Sequence, residues 1–160
     1  MGLRTMKRRR REKKTDYKLR LGLLKSGKDR IVIRRSNKYF TIQLVKSAEG
    51  QDSVVKSASS RELLKKGWSE EHKGSLKSIP AAYLTGILFA KKVGKGDFVL
   101  DLGMSRTLSG SRIFAAVKGL IDGGISLNAS EDKFPSEERI KGEHLKEEVK
   151  RIVEEVKKKV

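Results

Sequence analysis

Arg30-Ile31-Val32-Ile33-Arg34-Arg35-Ser36-Asn37-Lys38-Tyr39-Phe40-Thr41-Ile42-Gln43-Leu44-Val45 decides the fold. Arg30 to Arg34 is short and β-branched, bounded by Gly27 and by Ser36-Asn37, which predicts a strand. Ser36-Asn37-Lys38 has turn chemistry, and Tyr39 to Val45 alternates. Phe40, Ile42 and Leu44 fall on one face, and Tyr39, Thr41 and Gln43 on the other. Beyond the turn Glu49-Gly50-Gln51-Asp52, Ser53 to Ala58 reads as a third strand. A three-stranded antiparallel meander is the economical arrangement.

Toward the carboxy terminus, Ser59 and Glu62 form a capping box for a short helix that Gly67 ends, and Trp68 to Lys77 is a polar loop. Ser78 caps a second helix, with Pro80 in its first turn, Ile79, Tyr83, Leu84, Ile87, Leu88 and Ala90 as its apolar side, and Gly94 as its stop. Asp97 to Leu102 is a fourth strand, apolar enough for the inside of a sheet. After the loop Gly103 to Gly110, Ser111 caps a third helix bearing Ile113, Val117, Leu120 and Ile121. Gly123-Gly124 ends it, and Ile125 to Leu127 is a short last strand. The order β-β-β-α-α-β-α-β specifies an α/β domain, a mixed sheet flanked by helices. Past Pro135, Leu145, Val149, Ile152 and Val156 mark an amphipathic helix of roughly four or five turns, which packs back on the domain or docks on a partner.

Toward the amino terminus, Asp16 to Lys25 forms a short helix with Thr15 or Asp16 as cap and Tyr17, Leu21 and Leu24 as its apolar side. Lys18, Arg20 and Lys25 are expected to face outward. Residues 1 to about 14 have no apolar periodicity and are expected to be disordered when free. The expected organisation is a basic tail and short helix (1–27), an α/β core domain (28–130) and a helical extension (131–160).

The chain has 160 residues, 36% hydrophobic, with 38 Lys and Arg against 20 Asp and Glu, a net charge of +18. Residues 1–38 hold 16 basic and 3 acidic side chains, so +13; 22 minus 17 leaves +5 for residues 39–160. Charge that dense cannot be buried, but beside a polyanion each neutralised phosphate releases a condensed counterion. A solubility tail or nuclear-import tag is the bland alternative. The absence of cysteine excludes disulfides and thiolate metal sites and fits a reducing compartment. No apolar run approaches the roughly 20 residues that span a bilayer, and the first residues lack a signal peptide's apolar centre. The expectation is a soluble cytoplasmic protein that binds a polyanion and no membrane.

Within the basic stretch, Lys7, Arg8, Arg9, Arg10, Arg11, Lys13 and Lys14 suit phosphates, Tyr17 can stack on a base, and Arg20 offers a guanidinium fork. A second candidate is Asp101 to Arg112, where a glycine-bearing loop runs into a helix whose first N–H groups, with Arg106 and Arg112, suit a phosphate. No Gly-Lys-Ser/Thr follows, so it is not a nucleotide-binding P-loop; a flexible connector is the alternative. Trp68 either stacks on a base or, as favoured here, seals a core edge. Catalysis lacks a constellation. His72 and His144 lie far apart among charges; of Asp97, Asp101 and Asp122, imagined as a two-metal cluster, the first two merely share a strand face, and Asp97 after a turn and Asp122 at a helix end occupy ordinary positions. No enzyme and no cofactor are expected.

Lys13-Lys14-Thr15-Asp16-Tyr17, Leu23 to Arg30 and Arg34 to Lys38 resemble the family of 5S rRNA-binding large-subunit ribosomal proteins, the eighteenth protein of that subunit. Arg106-Thr107 with Gly110 to Gly119 resembles its archaeal and eukaryotic branch, and Phe134 to His144 the extension of the archaeal form. The resemblance runs in order along almost the entire chain. Lys13 stands where the family commonly has glycine, a departure expected to matter little. The resemblance implies an α/β domain that holds 5S rRNA by its basic amino-terminal segment and an exposed sheet face. It also implies attachment of that RNA to 23S rRNA, among neighbouring proteins of the central protuberance. The RNA contacts implied are Lys7 to Lys14, Tyr17, Arg20, Lys25, Arg30, Arg34, Arg35, Asn37 and Gln43, joined by Arg106, Thr107, Ser111 and Arg112. Charge alone leaves a DNA-binding protein as a rival, and the last helix leaves a partner-binding module.

Overall fold

The structure, a computed structural model, describes residues 6–160. β1 (Asp29–Arg35), β2 (Phe40–Ala48) and β3 (Gln51–Ser59) form the expected antiparallel meander. Ser36 closes the first turn, its hydroxyl accepting from the Tyr39 N–H at 2.9 Å. β4 (Phe98–Asp101) pairs parallel to β1, giving the order β3-β2-β1-β4. This corrects one expectation: β4 is an edge strand, not an interior one. The expected last strand is a second correction, because residues 125–127 contribute only a parallel bridge between Ser126 and Asp97. The Ile125 N–H is used instead to close the preceding helix on the Leu120 carbonyl at 3.1 Å, so too little chain is left to build a ladder.

Register places Ile31, Ile33, Phe40, Ile42, Leu44 and Ala58 on one face, all buried. Helices α4 (Ile79–Val93) and α5 (Arg112–Asp122) complete the core on that side. Ser78 caps α4 by accepting from the Ala81 N–H at 3.4 Å, and Gly94 ends it, as expected. The two helices touch backbone to backbone. A Cβ at Gly86 would stand 2.4 Å from the Ala116 carbonyl oxygen, and one at Gly119 only 2.1 Å from that of Tyr83. No side chain fits there, which explains two glycines inside helices where glycine costs about 1 kcal/mol.

α3 (Glu62–Lys65) starts with half of the expected capping box, Glu62 Oε1 accepting from the Ser59 N–H at 3.1 Å. Trp68 is 2% exposed, and its indole N–H donates to the His72 carbonyl at 3.2 Å, so it seals the core edge. The polar loop after it contains a 3-10 turn, Glu70–Ser75.

The last residues pack back on the domain. α6 (Glu137–Lys141) and α7 (Glu147–Lys159) both lie against α4. α7 has 13 residues, nearer three and a half turns than the four or five expected. Its buried stripe is Val149, Val153 and Val156, continued by Val160, while Leu145 and Ile152 flank it half-buried. The spacing i, i+4, i+7, i+11 is the expected one, started four residues later.

At the other end, α1 (Arg8–Arg11) is one helical turn with no buried residue, and α2 is Tyr17–Lys25. The expected disorder concerns residues 1 to about 14, of which the first five lie outside the described residues; among the rest the chain makes this turn. Lys14 N–H bonds to the Arg9 carbonyl and Lys13 N–H to that of Arg10, which closes α1 through a left-handed residue, Lys13 at φ 52°. Lys13 therefore holds a conformation that glycine adopts more easily, so its departure from the family pattern does matter, at about 1 kcal/mol of local strain. Asp16 caps α2 as expected, accepting from the N–H groups of Lys18 and Leu19 at 2.9 and 3.2 Å. The expected apolar side is corrected: Leu21 is exposed, while Tyr17, Leu23 and Leu24 are half-buried.

Candidate nucleic-acid interface

Opposite α4 and α5, the sheet carries Arg30, Val32 and Arg34 from β1, and Gln43 and Val45 from β2, with Asp101 beside Val32 at the end of β4. Alternation alone places these side chains together. What they build is a chain of ion pairs. Arg30 Nη1 donates to Asp101 Oδ2 at 3.1 Å, and Nη2 to Asp52 Oδ1 at 2.6 Å and to Ser47 Oγ at 2.9 Å. Arg20 of α2 reaches the other oxygen of Asp52 at 2.8 Å. Arg34 donates to Asp101 Oδ1 at 3.0 Å and to the Asp101 carbonyl at 2.9 Å. Burial pushes the Asp52 carboxyl up, but the hydrogen bonds from Ser47, Arg20 and Arg30 outweigh it and hold the group below its ordinary 3.8.

Two expected contacts change meaning. Arg30 is 2% exposed and faces two carboxylates, so it cannot meet RNA. Arg20 does not face outward; its side chain is about one-third exposed and turns inward to Asp52. Sequence reasoning counted both as free cations because Asp52 and Asp101 lie 22 and 71 residues from Arg30.

The other candidates divide by place. Arg9, Lys14, Tyr17, Arg20 and Arg34 line a groove of about 480 Å³ between the amino-terminal segment and the sheet, with Leu19 and Met104 as apolar walls. Lys7 lies over the Tyr17 ring, 4.9 Å from its centroid. Arg35, Arg106, Ser111 and Arg112 line a second groove of about 460 Å³, which shares Met104 with the first. Thr107 is exposed on the loop beside it. Ser111 stands at the start of α5, but its hydroxyl makes no capping bond and has no partner, contrary to the expected cap. Arg8, Arg10, Arg11, Lys13 and Lys25 are exposed; Gln43 is half-buried in mid-strand.

Asn37 lies elsewhere, in a cleft of about 340 Å³ lined also by Lys38, Tyr39, Lys73 and Lys77. Sequence reasoning missed these lysines. Lys73 and Lys77, four apart in a polar loop, were the available signal, but only the fold brings them to the β1–β2 turn. The imagined acidic cluster is dispersed. Asp97 pairs with Lys28 at 2.6 Å, Asp101 with Arg30 and Arg34, and Asp122 accepts from the Tyr83 hydroxyl at 2.8 Å. Burial, then Asp122, pushes that hydroxyl's pKa up. No group of acidic or histidine residues fit to hold a metal occurs among the described residues. No helix there is long and apolar enough to cross a membrane.

Exposed cations beside a mixed α/β sheet make a surface of the class suited to a polyanion such as nucleic acid. Comparison makes this particular. The family model for "Ribosomal large subunit proteins 60S L5, and 50S L18" matches residues 3–97. The large ribosomal subunit protein uL18 of Korarchaeum cryptofilum is 46% identical over 151 residues, covering 92% of this chain and 75% of the relative. That of Methanoregula boonei is 45% identical over 141 residues, 86% of this chain and 79% of the relative. That of Aeropyrum pernix is 43% identical over 152 residues, 92% and 69% respectively. The chain belongs to this family of large-subunit ribosomal proteins, in its archaeal form. Its role is structural and non-catalytic, and its place is the cytoplasmic ribosome, among ribosomal RNA and proteins.

Proposed function

We propose that this protein binds 5S rRNA and helps attach it to 23S rRNA in the central protuberance, beside neighbouring large-subunit proteins. The observation that carries the reading is the placement of charge. Residues 1–38 hold +13 of the +18; Lys7 to Arg11, Lys13 and Lys14 stand exposed, and Arg9, Lys14 and Arg34 line the groove between the amino-terminal segment and the open face of the sheet. Lys7 to Arg11, Lys13, Lys14, Lys25, Arg34 and Arg35 neutralise phosphates where RNA helices crowd together. Tyr17 offers a ring edge and Asn37 an amide for unpaired bases, and Gln43 and Thr107 add polar contacts. Arg106, Ser111 and Arg112 extend the surface past Met104 to a second strand of RNA. The division into a tail of residues 1–27, a core of 28–130 and an extension of 131–160 becomes a division of labour. The first reaches into RNA, the second presents the sheet face, and the third braces α4.

The test is a competition titration of labelled 5S rRNA at about physiological salt against excess transfer RNA and duplex DNA. Retention of 5S rRNA against both is the expected result. Equal competition by all three reduces the surface to a generic polycation and ends the reading.

A further inference from the structure

Arg30 is the most deeply buried charge of the molecule's described part, and nothing in a phosphate-binding role accounts for it. Its guanidinium joins the β2–β3 hairpin, through Asp52 and Ser47, to the end of β4, through Asp101. Each carboxylate then holds one more arginine at the surface. Asp52 holds Arg20 and with it α2; Asp101 holds Arg34. The far end is braced as well. Asp101 Oδ1 also accepts from the Gly103 N–H at 2.9 Å, and a Cβ at Gly103 would stand 3.0 Å from Arg34 Cζ, so the guanidinium lies directly on that glycine.

The order Arg20–Asp52–Arg30–Asp101–Arg34 alternates in charge and is sealed at its centre: the side chains of Arg30 and Asp101 are 2% and 10% exposed, against 31% for Asp52, 32% for Arg20 and 46% for Arg34. α2 has no buried residue, so apolar packing does little to fix it. We infer that Arg30 is a positioning residue: through Asp52 and Asp101 it holds α2 and Arg34 in their RNA-binding places before RNA arrives. This rests on the proposed RNA-binding function and adds a mechanism to it. A surface cation that is already ordered loses less side-chain and segment freedom on binding, which shows as affinity. Asp52 and Asp101 thus raise affinity for a polyanion although their charge opposes it.

That opposition supplies the test. Asp52→Asn removes one negative charge, taking the net charge from +18 to 18 + 1, or +19. Electrostatics alone then predicts tighter 5S rRNA binding. Positioning predicts the reverse, about five- to ten-fold weaker binding, with faster amide exchange over residues 17–25 of the free protein. Arg30 keeps Asp101, so the fold is not left with an unpaired buried charge. Unchanged or tighter binding by Asp52→Asn overturns the inference.

A second variant separates positioning from bulk stability. Arg30→Met with Asp52→Asn and Asp101→Asn replaces the three inner members of the ionic chain by neutral groups, leaving only the more exposed Arg20 and Arg34 charged, a change that buried ion pairs often tolerate. The expected result is a melting temperature close to that of the parent with 5S rRNA affinity still down about ten-fold. Affinity that recovers together with the melting temperature makes Arg30 merely structural. If instead the parent fails to prefer 5S rRNA over transfer RNA, the function proposed above fails, while the sign of the Asp52→Asn effect still judges the positioning role on whichever RNA is bound.

Discussion

The two faces of the sheet are held by opposite means. On one, Ile31, Ile33, Phe40, Ile42 and Leu44 meet α4 and α5, whose backbones touch at Gly86 and Gly119. On the other, Arg30 lies among carboxylates, and Arg20 ties α2 to one of them, Asp52. The first arrangement is non-directional and dense, so it tolerates salt and acid but no extra atom. The second is directional and charged, so it fixes where cations stand but adds little to stability. The helix-covered face keeps the fold, and the open face keeps the surface proposed to meet RNA.

This contrast can be broken from either side. The largest effect falls on the covered side. Trp68→Ala, at a side chain 2% exposed, is expected to cost about 4 kcal/mol in a denaturant melt while the folded fraction binds 5S rRNA as before. A parallel loss of RNA affinity would return Trp68 to a stacking role. Gly119→Ala comes next. Helix propensity alone predicts a gain of about 1 kcal/mol, but the added Cβ meets the Tyr83 carbonyl at 2.1 Å, so a net loss of about 3 kcal/mol is expected. A stabilised variant would show that the two helices can separate at no cost.

The open face should respond in the opposite way. Replacing Arg8 to Arg11 by Ala leaves the melting temperature unchanged, because the turn buries nothing. It should weaken 5S rRNA binding by about 100-fold at physiological salt and flatten the logarithmic salt slope by about 3. The smallest effect is in acid. Asp52 is held below its ordinary 3.8, so its contribution is complete above that value and is lost as pH falls through its lower folded value. An NMR titration should find its carboxyl protonating below 3.8, and α2 amides exchanging faster only beneath that point. Protonation at or above 3.8 would mean that Arg20 and Arg30 do not hold it.

How far the chain could be read depended on the distance of each interaction. The meander, the caps at Asp16 and Ser78 and the stop at Gly94 were legible because a few consecutive residues carry them. The place of β4 was not, since an apolar strand reads alike inside a sheet and at an edge covered by helices. The last helix was legible as a stripe, yet only packing against α4 decided that it turns inward. Among the candidate RNA contacts, the exposed tail cations were legible from charge density alone. Arg20 and Arg30 looked the same in sequence and are not, because a cation's role depends on what stands across from it.

The sequence by itself determined the polyanion-facing charge, the α/β order and the family pattern, since these are local in the chain or carried by composition. Tertiary structure alone decided which arginines are free. Asp52 and Asp101 come to Arg30 only when β3 and β4 flank the first two strands, and the attraction between charges falls off within a few ångströms that no reading along the chain can measure.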